Sequence, residues 1–153
     1  MPRIMTASWF AKLPAEAIPI GISRGVPRGM SGYHRLRELE PGPWFKSVAP
    51  EQYLTRYRQI LDRLDPGAIR DQLLGYGSIP VMLCWETADE CHAGRKWCHR
   101  HLAAQWLEDR LGIEVPEVAF PRLDRFAYLR NLGIPTPSYC PRHRATGGRQ
   151  RLR

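Results

Sequence analysis

The segment that most constrains the fold is a nearly continuous apolar run, Ile79–Trp85, in the middle of the chain. Such a run is typical of a strand that is buried on both faces of a parallel sheet. A polar stretch follows, and then a helix is predicted to begin near Cys98 or His99 and to end at Gly112. Strand, loop and helix in this order form half of a parallel crossover unit. The sequence therefore predicts an α/β fold with a small, mainly parallel sheet flanked by helices.

The remaining elements follow from the spacing of apolar residues and from the positions of proline and glycine. Residues 32–47 are interrupted by Pro41, Gly42 and Pro43, and we expect them to be irregular. Asp65 and Pro66 suit the cap and first position of a helix. The other predicted elements are strands over Arg3–Phe10 and Ile18–Ser23, helices beginning at Pro50 and at Pro66, and a last helix over Arg122–Leu132.

The length and the distribution of charge indicate one domain followed by a basic tail. A chain of 153 residues is about one domain long. All 15 acidic residues lie at or before Asp124, whereas Thr136–Arg153 contains five arginines and no acid. A segment of that composition buries too little apolar surface to fold alone. We therefore expect a single α/β domain with a C-terminal helical extension over residues 1–135, and a basic, flexible tail over residues 136–153.

The chain has neither a membrane-spanning run nor a recognisable targeting signal in its sequence. Its apolar runs are far shorter than the roughly 20 residues that a spanning helix needs. Met1–Ala15 lacks the apolar core of a signal peptide. We expect a cytoplasmic protein that does not bind membranes, and we expect its four cysteines to be free thiols rather than disulfides.

Polar residues follow the predicted strands and begin the predicted helix near Cys98. In open α/β sheets, ligands bind beyond the carboxyl ends of the strands, where helix amino termini converge. The sequence therefore predicts one pocket at this edge of the sheet. Its residues would be Ser23, Arg24 and Arg28 after the second strand, Cys84 and Glu86 at the end of the third, and Cys98, His99 and Arg100 at the start of the helix.

These residue types suggest an anion site with a reactive group beside it. Arginines and a helix amino terminus both favour negative charge, so we expect Ser23, Arg24, Arg28 and Arg100 to bind an anion. The same helix terminus would lower the pKa of the Cys98 thiol and make it a candidate nucleophile or ligand. His99 and Glu86 are the candidate proton carriers.

The cysteines and histidines are also candidates for a metal site. Soft sulfur and nitrogen ligands suit zinc or iron, although their spacing is not that of a zinc finger or ribbon. Alternatively, Cys84 is a small buried hydrophobe, His99 simply caps the helix or contacts solvent, and Arg100 is an ordinary surface charge. The candidate metal ligands are Cys84, Cys91, His92, Cys98 and His99.

Three of these motifs resemble the YeaO-like family, domain of unknown function 488. They are Ser23-Arg24-Gly25-Val26-Pro27-Arg28, Leu83-Cys84-Trp85-Glu86 and Cys98-His99-Arg100, and the similarity spans about Arg3–Leu111. The family pattern has one cysteine–histidine pair where this chain has two, and we match it to Cys98-His99 because an arginine and a helix follow. The resemblance implies an α/β fold and a shared pocket, but it implies no particular reaction.

Three functions are consistent with the sequence. The first is a cytoplasmic protein whose pocket binds, and processes, a phosphorylated ligand, either a nucleotide or a nucleic-acid end. The second is a non-enzymatic accessory protein that binds nucleic acid through its arginine-rich tail, with the Cys/His cluster filling the core or holding a structural metal. The third is a structural zinc module.

Overall fold

The computed structural model describes residues 3–30 and 32–141 of the chain. Four strands lie within them: β1 (Met5–Ser8), β2 (Ile18–Gly21), β3 (His34–Arg35) and β4 (Pro80–Cys84). They form one parallel sheet in the order β1-β4-β2-β3. The predicted α/β class with a small parallel sheet is confirmed.

The central strand is β4, the apolar run on which the fold prediction depended. All five of its residues are buried, as expected for a strand covered on both faces. Ser8 of β1 is in register with Cys84, and Gly21 of β2 is in register with Leu83. The carboxyl ends of these three strands therefore meet at one edge of the sheet.

The helices cover one face of the sheet, and loops cover the other. The main core joins Ile20 and Met82 of the sheet, and Ile22 directly after β2, to apolar residues of the helices. On the opposite face, Ala7 and Leu83 belong to a smaller cluster that packs against loop residues. The helices are α1 (Pro50–Asp62), α2 (Pro66–Leu74), α3 (Ala88–His92), α4 (His99–Leu111) and α5 (Ala127–Asn131), with two short 3-10 helices at Arg37–Leu39 and Pro43–Lys46. Of these helices, α1, α2, α4 and α5 contribute buried residues to the main core.

The ends of α2 and α4 agree with the sequence-based expectation. The Asp65 carboxylate accepts a hydrogen bond from the amide of Gly67 at 3.1 Å. Gly112 ends α4 with a φ of 68°, a left-handed conformation that favours glycine. Between them, α4 packs against α2, β1 and β4, which places its first turn under the end of β4.

Three segments differ from the predicted secondary structure. The polar stretch after β4 contains α3, and residues 32–47 contain β3 and the two 3-10 helices. α5 is shorter than the predicted helix because the residues before it form tertiary hydrogen bonds. The amide of Asp124 donates to Nδ1 of His92, and Arg125 donates to Glu108.

Packing continues beyond residue 135. Tyr139 is buried, and its amide donates to Asp109 of α4 at 2.6 Å. The Arg58 guanidinium donates to the carbonyl of Ser138. The five arginines of the predicted tail lie in residues 142–153, outside the described residues. Within residues 3–30 and 32–141, no helix is long and apolar enough to cross a membrane.

Candidate functional site

A cavity of about 480 Å³ opens where β2 and β4 end, between α1 and the start of α4. Its boundary combines aromatic, basic and sulfur-containing side chains. The lining residues are Ser23, Arg24, Gly25, Pro41, Phe45, Lys46, Val48, Pro50, Tyr53, Cys84, Trp85, Glu86, Trp97, Cys98 and His99. The structure therefore brings together six of the predicted site residues: Ser23, Arg24, Cys84, Glu86, Cys98 and His99.

At one end of the cavity, two thiols and an imidazole form a compact group. The Sγ atoms of Cys84 and Cys98 and a ring nitrogen of His99 all lie within 4.8 Å of one another, and all three residues are buried. Cys84 is the last residue of β4, and Cys98 caps α4 without a side-chain hydrogen bond to the helix backbone. The end of the strand and the start of the helix therefore bring the three side chains together. These residues could hold a metal ion.

Both nitrogens of His99 have neighbours inside the protein. Nε2 lies 2.7 Å from the carbonyl oxygen of Ile22, and Nδ1 lies 3.4 Å from Sγ of Cys84. A carbonyl oxygen only accepts, so Nε2 carries the proton and donates it. The lone pair of the neutral ring is then on Nδ1, facing the thiol. With both nitrogens engaged, His99 is poorly placed to exchange protons with a ligand in the cavity.

The two thiols have opposite pKa shifts. Burial raises the pKa of the Cys84 thiol, and the neighbouring Cys98 raises it further. Burial alone would also raise the pKa of Cys98, but the hydrogen bond with Cys84 and the positive charge of Arg100 lower it well below its ordinary value. The arrangement therefore favours a thiolate at Cys98 with the proton on Cys84.

Glu86 lies beside the thiols and lines the same cavity. Its Oε1 is 3.7 Å from Sγ of Cys84. Burial raises the pKa of Glu86 to about 7, with a further contribution from the Cys98 thiolate. A carboxyl group with this pKa exchanges protons readily at neutral pH.

Two indole rings orient the loop after β2. The Nε1 group of Trp9 donates to the Ser23 hydroxyl, which donates to the carbonyl of Gly25. The Nε1 group of Trp85 donates to that same carbonyl at 3.1 Å. Arg24 is therefore placed at the cavity by an ordered backbone. Arg28, four residues on, is exposed and lies outside the set of cavity-lining residues.

Arg100 lies inside the protein rather than in the cavity. Its side chain is fully buried and forms two hydrogen bonds with the Glu117 carboxylate, the shorter at 2.7 Å. It also donates to the backbone carbonyl of Glu86. Glu117 accepts further hydrogen bonds from Thr6 and His101. Arg100 therefore orients the segment after β4, and its charge acts on the site through space.

Cys91 and His92 do not join the Cys84–Cys98–His99 group. Cys91 is buried against the other two cysteines, but its thiol is not part of the compact three-residue group. His92 is exposed, and its Nδ1 accepts a hydrogen bond from the amide of Asp124. The second cysteine–histidine pair is therefore separate from the candidate site.

Sequence reasoning missed the aromatic and basic residues that complete the cavity wall. Phe45 and Lys46 come from the segment predicted to be irregular, and Trp97 comes from the stretch before α4. Tyr53 lies on the buried face of α1, where an aromatic residue is typical of an ordinary core helix. A local sequence pattern identifies no site in such segments, because their positions depend on tertiary packing. Glu117 was missed for the same reason.

No protein-family model, no curated protein and no solved structure matches the chain. The geometry of the site is therefore the basis for assigning a function.

Proposed function

We propose that this chain is a cytoplasmic protein whose cavity binds a phosphorylated ligand with a flat ring, either a nucleotide or a nucleic-acid end. One observation supports this above the others: aromatic rings and two basic side chains line the same cavity. Aromatic faces stack on bases, and cationic side chains bind phosphate. The four free cysteines agree with a reducing compartment.

The phosphate would contact Arg24 and Lys46. Both residues line the cavity and are exposed, and neither forms an ion pair with the described part of the chain. Arg100 is not assigned to the phosphate, since its guanidinium already pairs with Glu117. The anion site proposed here therefore consists of Arg24 and Lys46, because the hydroxyl of Ser23 already donates to the carbonyl of Gly25.

The base would contact the aromatic wall. The rings of Tyr53 and Trp97 pack edge to face with their centroids 4.6 Å apart. Phe45 and Trp85 line other parts of the same cavity. A volume of about 480 Å³ falls within the range of roughly 300–1,000 Å³ that is typical of small-molecule sites. A mononucleotide is a ligand of suitable size and chemistry.

We also propose membership of the YeaO-like family. The support is that its three motifs contribute neighbouring residues here: Ser23 and Arg24, Cys84 and Glu86, and Cys98 and His99 all line one cavity. Separate motifs that converge on one site are expected when they share a function. Processing of the ligand would use Cys98 and Glu86, which line the cavity beside the proposed anion site.

Nucleotide binding can be tested by calorimetry with a nucleoside diphosphate and with the matched nucleoside. Replacing Arg24 or Lys46 by Gln should weaken binding of the diphosphate by about 10-fold or more, since a charge-assisted hydrogen bond contributes about 1.5–3 kcal/mol. The nucleoside should be affected much less.

The control variant is Arg28→Gln, which removes an arginine from the same loop but outside the cavity lining. It should bind the diphosphate like the wild type. The proposal is wrong if the wild-type protein binds no nucleotide at millimolar concentration, or if all three variants lose affinity equally.

Exposed aromatic residues favour the second function, binding of single-stranded nucleic acid. Phe10, Tyr33 and Trp85 have exposed fractions of 58%, 43% and 41%. Phe10 and Trp85 pack edge to face, and Trp85 also borders the cavity beside Arg24. Such rings provide stacking surfaces for successive bases. A strand bound here would extend out of the cavity across this surface.

A further inference from the structure

We propose that Cys84, Cys98 and His99 form a zinc site whose fourth position opens to the cavity. The two Sγ atoms and a His99 ring nitrogen lie within 4.8 Å of one another at the end of β4 and the start of α4. Two thiolates and one imidazole are a ligand set that zinc accepts when it keeps an open position. The inference is independent of the ligand proposed for the cavity.

The separation of the ligand atoms fits a shared metal ion. Zinc binds sulfur at about 2.3 Å and imidazole nitrogen at about 2.0 Å, so tetrahedral geometry puts the two ligand atoms about 3.5 Å apart. The distance between Sγ of Cys84 and Nδ1 of His99 is 3.4 Å. A small adjustment of side-chain angles would therefore admit the ion.

The orientation of His99 fits the same role. Metal-binding histidines commonly donate their second ring N–H to a carbonyl or carboxylate, which directs the free lone pair at the metal. Here the carbonyl of Ile22 accepts from Nε2 at 2.7 Å. Nδ1 is therefore the unprotonated nitrogen of the neutral ring, and it faces the Cys84 thiol.

Charge and burial favour an ion at this position. Zn²⁺ with two thiolates and a neutral imidazole has no net charge, which limits the cost of burying the site. Cys84, Cys98 and His99 have exposed fractions of only 4%, 2% and 5%, yet each contributes to the cavity lining. The ion can therefore enter from the cavity and is shielded elsewhere by protein.

The open position faces the cavity beside Glu86. Oε1 of Glu86 is 3.7 Å from Sγ of Cys84, close enough to accept a hydrogen bond from a molecule bound at the open position. Bound in this way, zinc would lie where a ligand in the cavity could reach it. A metal with an open position polarises phosphoryl or carbonyl oxygens.

The test is metal analysis of the full chain, purified under reducing conditions, together with titration of the metal-free protein with Co²⁺. We expect about one zinc per chain. Co²⁺ should give strong visible bands, typical of tetrahedral geometry, and near-ultraviolet thiolate-to-cobalt absorption. Cys84→Ser, Cys98→Ser and His99→Gln should each lose stoichiometric metal.

If the serine variants do not fold, the variant Cys98→Asp provides a second test of the ligand set. Cys98→Asp keeps a ligand oxygen in place of one of the two sulfurs, so the thiolate-to-cobalt absorption per bound ion should fall by about half. This readout reports the ligand itself, and a purely structural role for Cys98 would not change it.

The matched controls are Cys91→Ala, which removes the third buried cysteine, and Cys140→Ser, which removes the exposed one. Both should keep the wild-type metal content and cobalt spectrum. The proposal is overturned if the wild-type protein binds neither zinc nor Co²⁺, or if the thiolate-to-cobalt absorption per bound ion is unchanged in Cys98→Asp. Loss of metal in Cys91→Ala would also overturn it, because the ligand set would then be different.

Discussion

At the scale of the residue, Glu117 shows how this fold accommodates a buried charge. Its carboxylate accepts hydrogen bonds from Thr6, Arg100 and His101. Burial opposes ionisation, but hydrogen bonds from His101 and the charge of Arg100 lower the pKa of Glu117 well below its ordinary value. Because Arg100 also donates to the carbonyl of Glu86, the buried ion pair orients the segment that follows β4.

Replacing Glu117 by Gln should destabilise the protein by about 3 kcal/mol or more, since it leaves the buried guanidinium of Arg100 without a counter-charge. Unfolding in denaturant, followed by tryptophan fluorescence, measures the change. Asp71→Asn is the control, because the Arg70–Asp71 pair is exposed and should contribute almost nothing. An equal effect of both variants would contradict the role given to the buried pair.

The same residue should make stability depend on pH. A carboxylate with a lowered pKa in the folded state stabilises the fold above its unfolded pKa, about 4.3 for Glu, and this contribution is lost as the pH falls towards the folded pKa. The difference in unfolding free energy between wild type and Glu117→Gln should be constant from pH 7 to about 5 and then shrink. Subtracting the variant cancels most other titrating groups. A difference that stays constant down to pH 3 would contradict the lowered pKa.

The burial of Arg100 could have been predicted from its position in the helical pattern. Its spacing from Ala103, Ala104 and Leu107 places it on the same helical face as these apolar residues, all of which are buried. That pattern predicts an inward guanidinium, which requires a buried acidic partner. The sequence could not identify Glu117 as this partner, because Glu117 is brought beside β1 by a backbone bridge to Thr6.

At the scale of the element, α4 connects the site to the core. Its first residue, His99, belongs to the candidate metal group, and Cys98 precedes it as the cap. Most of the helix is buried, so it is surrounded by protein rather than amphipathic. A shift of α4 along its axis would therefore move Cys98 and His99 relative to Cys84.

Glycines at the end of α4 and in the first turn of α2 allow a matched pair of substitutions. Gly112→Ala should destabilise the protein by about 1–2 kcal/mol, because alanine is strained at a φ of 68° although no neighbouring atom is in the way. Gly67→Ala, in the first turn of α2, meets only ordinary contacts and should stabilise by up to about 1 kcal/mol. Thermal unfolding of the two variants should therefore shift Tm in opposite directions. A shift in the same direction would contradict the assigned ends of these helices.

The elements that could be predicted from the sequence are those whose own residues form a recognisable pattern. α1, α2 and α4 have apolar residues at helical spacing, with proline or glycine at an end. α3 also had a signal that was overlooked: Thr87 and Glu90 form reciprocal hydrogen bonds as a capping box. β3 has no such signal, because its two residues are ordered only by pairing with β2.

At the scale of the whole molecule, the site is assembled from segments that are far apart in sequence. The order of elements predicted that Cys84, Glu86, Cys98 and His99 would meet, since strand ends and helix starts share one edge of the sheet. It did not predict the aromatic wall, whose residues come from irregular segments. The fold class and the end of the cavity formed by Cys84, Cys98 and His99 were therefore predictable, and the aromatic wall was not.

The net charge of +8 favours binding to nucleic acid, and three of the arginines that contribute to it lie in the last nine residues. Deleting Ala145–Arg153 removes three arginines and lowers the net charge to +5. If these arginines contact phosphates of a single-stranded oligonucleotide, the slope of log affinity against log salt should become shallower by about 2, at about 0.7 per contact. Fluorescence anisotropy at several salt concentrations measures the slope.

The same deletion should leave mononucleotide affinity unchanged, because, among residues 3–30 and 32–141, those that line the cavity lie between Ser23 and His99. Retained mononucleotide binding with a shallower oligonucleotide slope would separate two contributions: a specific cavity, and a salt-dependent attraction by the terminal arginines. An unchanged slope would instead mean that these arginines contact no phosphate, and oligonucleotide binding would then depend on the folded surface around Trp85 and Arg24.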